Sequence, residues 1–259
     1  MPSPTLPDRL VGVNLKIYFD APSTTAYITA ITKFFAPPAS ISTGVFILPS
    51  YPCLASASDL LDMTPQIILG AQNCHSEDSG AHTGEVSPLM LKQVGCRIVC
   101  LGHAERRRAP FNETDEVVAT KAKAVVRNGM IPLICIGEKS QSSIMSEGVG
   151  LAIRESSPQV MSVLRMVPGD VPIIFAYEPV WAIGAQEPAS ADHVLAVVKN
   201  LKELVSTVEG RAEVRILYGG SAKPGTWGTL KQGLDGLFLG RFAHDVGNFE
   251  RVVKEVEES

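Results

Sequence analysis

Eight short apolar runs, spread along the whole chain, constrain its fold more than any other feature. They are rich in Val, Ile and Leu, and they cover residues 10–15, 44–48, 66–70, 97–101, 131–136, 171–176, 214–218 and 236–239. Most of the runs are nearly continuous in apolar residues, without the alternation expected of a sheet that has one face in water. They therefore predict strands that are buried on both faces, as in a parallel sheet.

The segments between the runs have helical character. Residues 112–128 and 190–208 carry apolar side chains at helical spacing, and parallel strands need such crossovers. Eight strand–helix units in 259 residues match the size and count of a (β/α)8 barrel. We therefore predict an α/β protein with a single barrel domain over residues 1–259. An open doubly wound sheet is the alternative, since periodicity does not show whether a sheet closes.

Composition and charge exclude several classes of partner. The formal net charge of −4 gives no positive field for nucleic acid or anionic membranes, so an anionic ligand needs a local positive site. No apolar stretch approaches the roughly 20 residues that span a bilayer. The five cysteines contain no Cys-x-x-Cys pair, no histidine pair has metal-ligand spacing, and the first eight residues are polar and proline-rich. We expect a soluble, cytoplasmic protein without a metal site.

Chemically distinctive residues follow three of the runs. Asn14 and Lys16 follow the first run, His103 the fourth and Glu178 the sixth. In a barrel of parallel strands the reactive side chains gather where the strands end. On an extended strand, Asn14 and Lys16 would also point to the same side. A carboxylate, an imidazole and a lysine together predict a centre for proton transfer beside a stabilised oxyanion.

Two glycine-containing turns follow the last two runs. Gly219-Gly220-Ser221 comes after the seventh and Gly240-Arg241 after the eighth. A phosphate group needs backbone N–H groups that approach without obstruction by a Cβ atom, and glycine permits this. Each feature alone has an ordinary structural explanation, such as a tight turn, a structural histidine or a solvated lysine. Their convergence from five strands favours an oxyanion or phosphate site.

Eight motifs, spread along the whole chain, carry a more specific signal. They are Asn14-x-Lys16, Ala71-Gln72-Asn73, Gly80-Ala-His-Thr-Gly-Glu85, Leu101-Gly-His-Ala-Glu-Arg-Arg107, Cys135-Ile-Gly-Glu138, Ala176-Tyr-Glu-Pro-Val-Trp-Ala-Ile-Gly184, Tyr218-Gly-Gly-Ser221 and Asp235-Gly-Leu-Phe-Leu-Gly240. In order and spacing, these motifs resemble the triosephosphate isomerase family from end to end. The element around Glu178 is highly specific, whereas the Gly-Gly-Ser turn alone is not.

This resemblance implies a phosphosugar ketose–aldose isomerase that uses no metal and no organic cofactor. Glu178 would be the base, His103 the electrophile on the carbonyl oxygen, Lys16 the cation beside the enediolate and Asn14 a hydrogen-bond donor. A neutral histidine at this position is the family's known case of pKa tuning. The phosphate-binding residues would be Gly184, Gly219, Gly220, Ser221, Gly240 and Arg241.

The resemblance also implies a lid and a second subunit. Trp181, Ala182 and Ile183 would form an apolar lid over the substrate, and closing it would exclude water. The loop around Thr83 resembles the segment that these enzymes insert into a partner, so we expect a homodimer.

Three departures from the family pattern bear on function. Ala104 replaces the usual serine, the lid tip has the sequence Ala185-Gln186-Glu187-Pro188-Ala189, and Arg241 replaces the second glycine of a pair. Arg241 either contacts the substrate or points outward.

The choice of substrate stays open between two phosphosugars. The main expectation is interconversion of dihydroxyacetone phosphate and glyceraldehyde 3-phosphate, as in glycolysis and gluconeogenesis. The departures are similar to a paralogous branch that isomerises L-erythrulose 1-phosphate and D-erythrose 4-phosphate, which is the alternative. A non-catalytic phosphate-binding barrel is disfavoured, because such a protein would be expected to lose Glu178, His103 or Lys16, and all three are present.

Overall fold

Eight parallel strands close into a barrel in sequence order. The computed structural model describes residues 6–35, 41–184, 188–211 and 213–259. The strands are β1 Leu10–Asn14, β2 Gly44–Leu48, β3 Ile67–Ala71, β4 Ile98–Leu101, β5 Ile131–Ile136, β6 Ile173–Tyr177, β7 Val214–Gly219 and β8 Gly236–Leu239. Pairing of β1 with β8 closes the sheet. The predicted barrel is therefore confirmed, and the open sheet is excluded.

Helices connect successive strands on the outside of the barrel. In the described ranges the α-helices are α1 Ala21–Phe34, α2 Leu54–Leu61, α3 Pro88–Gln93, α4 Ala104–Arg107, α5 Asp115–Arg127, α6 Met145–Met166, α7 Ala191–Ser206, α8 Thr226–Leu230 and α9 Val246–Glu257. Short 3-10 helices cover Tyr51–Cys53, Val180–Ala182 and Arg241–His244. No helix in these ranges is long and apolar enough to cross a membrane.

Local capping determines where the two helices that the sequence predicts begin. Thr114 accepts a hydrogen bond from the backbone N–H of Val117 at the start of α5, and Ser190 does the same for His193 at the start of α7. These hydroxyl groups satisfy N–H groups that have no partner within the helix. Both helices therefore begin one residue after their cap, slightly inside the predicted ranges.

Alternate side chains of the strands form two separate apolar cores. One core lies between the strands and the helices, whereas the other fills the inside of the barrel. Within the inner core the rings of Phe46 and Phe238 stack with centroids 5.7 Å apart. Because these side chains fill the interior, the described residues form a packed core without a channel along the barrel axis. A ligand site must then lie at one end of the strands.

Candidate active site

The four predicted catalytic residues come together at the carboxyl ends of three strands. Asn14 is the last residue of β1, Lys16 follows two residues later, His103 follows β4 closely and Glu178 directly follows β6. These four side chains line one cavity of about 40 Å³, with Ile183, Gly220, Phe238, Leu239 and Gly240 as its other walls. We call it the inner cavity.

Lys16 reaches this cavity by a different route from the one expected. The strand ends at Asn14, and Lys16 has a left-handed backbone with φ of 50°, so the two residues do not share a side of an extended strand. The Asn14 side chain holds this turn because its Oδ1 accepts the Lys16 N–H at 2.9 Å. Gln72 Nε2 donates to the Lys16 carbonyl, also at 2.9 Å. The turn directs the ammonium group to Glu105, at 2.8 Å.

The position of the histidine proton follows from the start of α4. His103 is the N-cap residue of this helix, and its Nδ1 accepts the backbone N–H of Glu105 at 3.2 Å. A ring nitrogen that accepts a hydrogen bond carries no proton, so the neutral ring carries its proton on Nε2. Nε2 lies 3.8 Å from Glu178 Oε2. The acidic N–H of the ring and the carboxylate therefore adjoin the same space.

Glu178 is a carboxylate in a largely dry environment. Only 6% of the residue is exposed, and its Oε2 atom has no hydrogen-bond partner within the described residues. Burial raises the pKa of Glu178, while the nearby His103 and Lys16 partly oppose this rise. A buried carboxylate with an unsatisfied oxygen has the properties of a general base.

Ala104 lies beside this carboxylate. Together with Glu178 it lines a small void of about 10 Å³, whose walls also include Gly102 and Cys135. The methyl group of Ala104 offers no hydrogen bond to Glu178, where a hydroxyl group could supply one. The substitution therefore removes one possible restraint on the carboxylate.

A wider cavity of about 460 Å³ adjoins the inner cavity. We call it the outer cavity. Lys16, Ile183, Gly220 and Gly240 line both spaces, so they are continuous. Among the predicted phosphate-binding residues, the outer cavity is lined by Gly184, Gly220, Ser221, Gly240 and Arg241.

Gly219 has a different position from the other predicted phosphate-binding residues. It does not line the outer cavity but packs against the Glu178 side chain. A Cβ atom added to Gly219 would lie only 2.5 Å from Glu178 Cγ. Glycine is therefore needed here for the close approach of the Glu178 side chain.

Positive side chains dominate the outer cavity. Among the residues that the structure describes, Lys16, Arg108, Lys223 and Arg241 line it, together with one acid, Glu105. The guanidinium of Arg241 extends toward the lid, and its Nη2 lies 3.7 Å from the position that a Cβ atom on Gly184 would take. Arg241 therefore faces the cavity instead of pointing away from it. Such a cationic wall favours an anionic group.

Of the three predicted lid residues, Ile183 lines both cavities, whereas Trp181 and Ala182 line neither. Ser221 Oγ donates to the Ala182 carbonyl at 3.1 Å, and the backbone N–H of Ala189 donates to Tyr218 Oη at 3.3 Å. Burial raises the pKa of Tyr218 to about 12. These contacts hold both described ends of the lid near the cavities. Residues 185–187 of the predicted lid tip lie outside the described residues.

Three polar residues contribute to this site without having been assigned a role from the sequence. Glu105 pairs with Lys16, Gln72 holds the Lys16 turn, and Glu138 accepts the indole N–H of Trp181 at 2.9 Å. Each lies inside a motif that carries the family resemblance. The motifs could have marked them as candidates, but only the folded geometry identifies their partners.

Comparison with known proteins agrees with this arrangement. The family model described as triosephosphate isomerase matches residues 9–256. A protein of Pectobacterium atrosepticum named L-erythrulose-1-phosphate isomerase is 42% identical over 253 residues, which cover 95% of this chain and 94% of the relative. Proteins of the same name from Rhizobium etli and Brucella abortus are 43% and 42% identical, covering 82% and 79% of this chain and 79% of each relative. The chain therefore belongs to the triosephosphate isomerase family of phosphosugar isomerases.

Proposed function

We propose that this protein isomerises L-erythrulose 1-phosphate by moving a proton between adjacent carbon atoms. One observation carries the proposal: Lys16, His103 and Glu178 extend from three different strands into one small, shielded cavity. The relatives named for this activity favour the four-carbon sugar over the three-carbon sugar that was the main expectation.

The chemistry of the substrate defines the product. L-erythrulose 1-phosphate carries its carbonyl group on C2, and C1 bears the phosphate ester without a free hydroxyl group. A proton transfer through an enediolate can therefore move the carbonyl only to C3. The product is erythrulose with the phosphate at C4 in conventional numbering. D-erythrose 4-phosphate, which the sequence resemblance paired directly with this ketose, lies one further proton transfer away, between C2 and C1 of that product.

Each of the three side chains has a distinct role in this step. Glu178 removes the proton from C3 and returns it to C2, since its Oε2 atom is buried and has no hydrogen-bond partner among the described residues. His103 stabilises the charge on O2 through its Nε2–H, passes this proton to O2 and recovers a proton from the C3 hydroxyl group, whose oxygen becomes the new carbonyl. Lys16 places a positive charge beside the enediolate, and Asn14 fixes the turn that holds Lys16.

The outer cavity would bind the phosphate group. Gly184, Gly220, Ser221 and Gly240 border it and would surround the phosphate, while Arg241 adds a full positive charge. The ester would then lie outside the inner cavity, with the reacting carbon atoms beside Glu178. The charged phosphate end of the substrate would thus lie in the cationic outer cavity, and its uncharged end in the inner cavity.

Isomerisation of triose phosphates is the second candidate. It is favoured by the description of the matching family and by the small volume around the reacting atoms, about 40 Å³. A role in glycolysis and gluconeogenesis would follow only from this second candidate.

Steady-state assays with L-erythrulose 1-phosphate and dihydroxyacetone phosphate on one enzyme preparation test the choice. We expect a higher kcat/KM for the four-carbon sugar and a loss of roughly 10²- to 10⁴-fold in kcat for Glu178→Gln with either substrate. A clear preference for the triose would reverse the assignment. If phosphate ligands bind but neither substrate exchanges its α-proton with deuterated water, the protein is a binding barrel.

A homodimer is part of the proposal. Thr83 is exposed in a loop that is ordered by its own turns, with hydrogen bonds from His82 N–H to the Gly80 carbonyl and from Glu85 N–H to the His82 carbonyl. Ile17 and Tyr18, next to the catalytic lysine, are 90% and 60% exposed. Adjacent exposed apolar side chains of this size are typical of an interaction surface. A second copy covering them would shield Lys16 from water.

A further inference from the structure

A fully buried carboxylate, Glu138, lies at the end of β5 and binds three side-chain donors. The Tyr177 hydroxyl group donates to its two oxygens at 3.1 and 3.0 Å. Trp181 Nε1 lies 2.9 Å from Oε1, and His193 Nε2 lies 3.1 Å from the same atom. We call Glu138, Tyr177, Trp181 and His193 the Glu138 cluster.

Most of the hydrogen bonds in the cluster have a defined direction. Burial, followed by the charge of Glu138, raises the pKa of Tyr177, so its hydroxyl group keeps its proton and can donate to the carboxylate. An indole nitrogen only donates. His193 Nε2 lies 3.1 Å from both Glu138 Oε1 and the Tyr177 hydroxyl oxygen, and the tautomer that carries its proton on Nε2 donates to the carboxylate. Loss of any donor leaves a buried carboxylate oxygen with fewer partners, which is costly.

The donors come from opposite ends of the segment that carries the lid. Trp181 lies three residues after Glu178, at the beginning of the segment. His193 lies just after the other end of the segment. It is the third residue of α7, which Ser190 caps. One carboxylate therefore binds both ends of the lid segment.

The main chain of Glu138 strengthens the connection to the catalytic residue. The Val180 N–H donates to the Glu138 carbonyl at 2.9 Å, and the Glu178 N–H donates to the Ile136 carbonyl at 2.7 Å. The end of β5 thus binds the backbone on both sides of Pro179. A displacement of Glu138 would be transmitted to Glu178 through these bonds.

His193 is closely packed in this position. It is 7% exposed, its ring meets that of Trp181 at 72° with centroids 5.8 Å apart, and its Nδ1 lies 3.7 Å from the position of a Cβ atom on Gly148 of α6. We propose that His193 is a positioning residue for the isomerase reaction, which joins the far end of the lid to Glu138 and so fixes Glu178 and Ile183 at the cavity. This inference rests on the proposed function.

Paired variants of His193 test it. His193→Gln retains an N–H group at a similar distance along the side chain, whereas His193→Leu retains volume but no donor. Val197→Ala, one turn further along α7 and fully buried, is the control for simple destabilisation. All are made with Trp227→Phe, because Trp181 is then the only tryptophan in the chain and its fluorescence reports on the cluster.

We expect His193→Leu to lower kcat about tenfold or more and to shift the Trp181 emission. His193→Gln should stay within about threefold of the parent in kcat. Val197→Ala should lower Tm without changing kcat or the emission. The inference would be overturned if the parent and His193→Leu had equal kcat. It would also be overturned if both His193 variants lost kcat equally, or if Val197→Ala lost as much kcat as His193→Leu.

Failure of the proposed function would look different. In that case the parent protein would turn over neither ketose phosphate, although His193→Leu would still shift the Trp181 emission. Unchanged emission in His193→Leu, with an active parent, would instead refute the role of His193 alone.

Discussion

At the scale of single residues, the burial of Glu178 is both useful and costly. The apolar surroundings that raise its pKa make it a stronger base, but they also disfavour the charged form that the reaction needs. His103 and Lys16 offset part of this cost from two other strands. In the proposed reaction, Glu178 is therefore a residue at which stability is lost for function.

This cost predicts how stability depends on pH. The pKa of Glu178 is higher in the folded than in the unfolded chain, so its contribution to stability is complete below the unfolded pKa and is lost as pH rises through the folded pKa. Glu178→Gln does not titrate. The free energy of unfolding of the wild type should thus fall relative to the variant as the pH rises above the ordinary glutamate pKa of about 4.3.

Thermal unfolding of both proteins at increasing pH measures the difference. At pH 8 we expect the variant to have the higher Tm. The difference should be about 2–4 °C for each kcal/mol by which its free energy of unfolding exceeds that of the wild type. A wild type that gains stability over the variant as pH rises would show that Glu178 is better stabilised as a carboxylate than its burial indicates.

At the scale of elements, the end of β7 supports the end of β6. Gly219→Ala would place a methyl carbon 2.5 Å from Glu178 Cγ, which forces the side chain to move. We expect kcat to fall about 10²-fold, since small displacements of a catalytic group are costly. Gly228→Ala on α8 is the control, because its Cβ atom would have no neighbour closer than 3.9 Å.

Kinetic assays and circular dichroism of the two glycine variants distinguish a displaced Glu178 side chain from a loss of folded structure. Gly219→Ala should keep the spectrum of the parent while losing turnover, and Gly228→Ala should keep both. Normal turnover in Gly219→Ala would mean that the Glu178 position is adjustable.

The turn after β8 carries a second prediction. If Arg241 binds the phosphate, Arg241→Ala should raise KM and the inhibition constant of inorganic phosphate about tenfold or more, with a smaller effect on kcat. Arg251→Ala, which removes an exposed arginine of α9, should change neither. Inhibition constants that are equal in all three proteins would remove Arg241 from phosphate binding.

These elements also show what the sequence could predict. The strands are evident because nearly continuous apolar runs have few alternatives to a buried parallel sheet, and the strand ends then identify Asn14, His103 and Glu178 as neighbours. The Lys16 turn was not predictable, because its left-handed backbone depends on hydrogen bonds to Asn14 and Gln72. Gly219 and His193 were missed as positioning residues for a similar reason, since their roles depend on partners distant in sequence.

At the scale of the whole molecule, the exposed pair Ile17 and Tyr18 and the exposed loop around Thr83 are the surfaces assigned to the proposed dimer. Thr83→Arg should place a charge within the contact and yield monomers with a lower kcat, because Lys16 would lose its cover. Size-exclusion chromatography with light scattering measures the mass. Thr229→Arg, at an exposed site on α8, should leave it unchanged. A monomeric wild type with full activity would contradict this expectation.

The packed interior of the barrel has a kinetic consequence. Phe46 and Phe238 fill the barrel beneath the inner cavity, so the part of the chain that the structure describes leaves no exit along the barrel axis. A sugar phosphate must arrive and depart through the same mouth, which is lined by Arg241 and the lid. Substrate and product then cannot occupy the enzyme together, and each should inhibit the other in a strictly competitive manner.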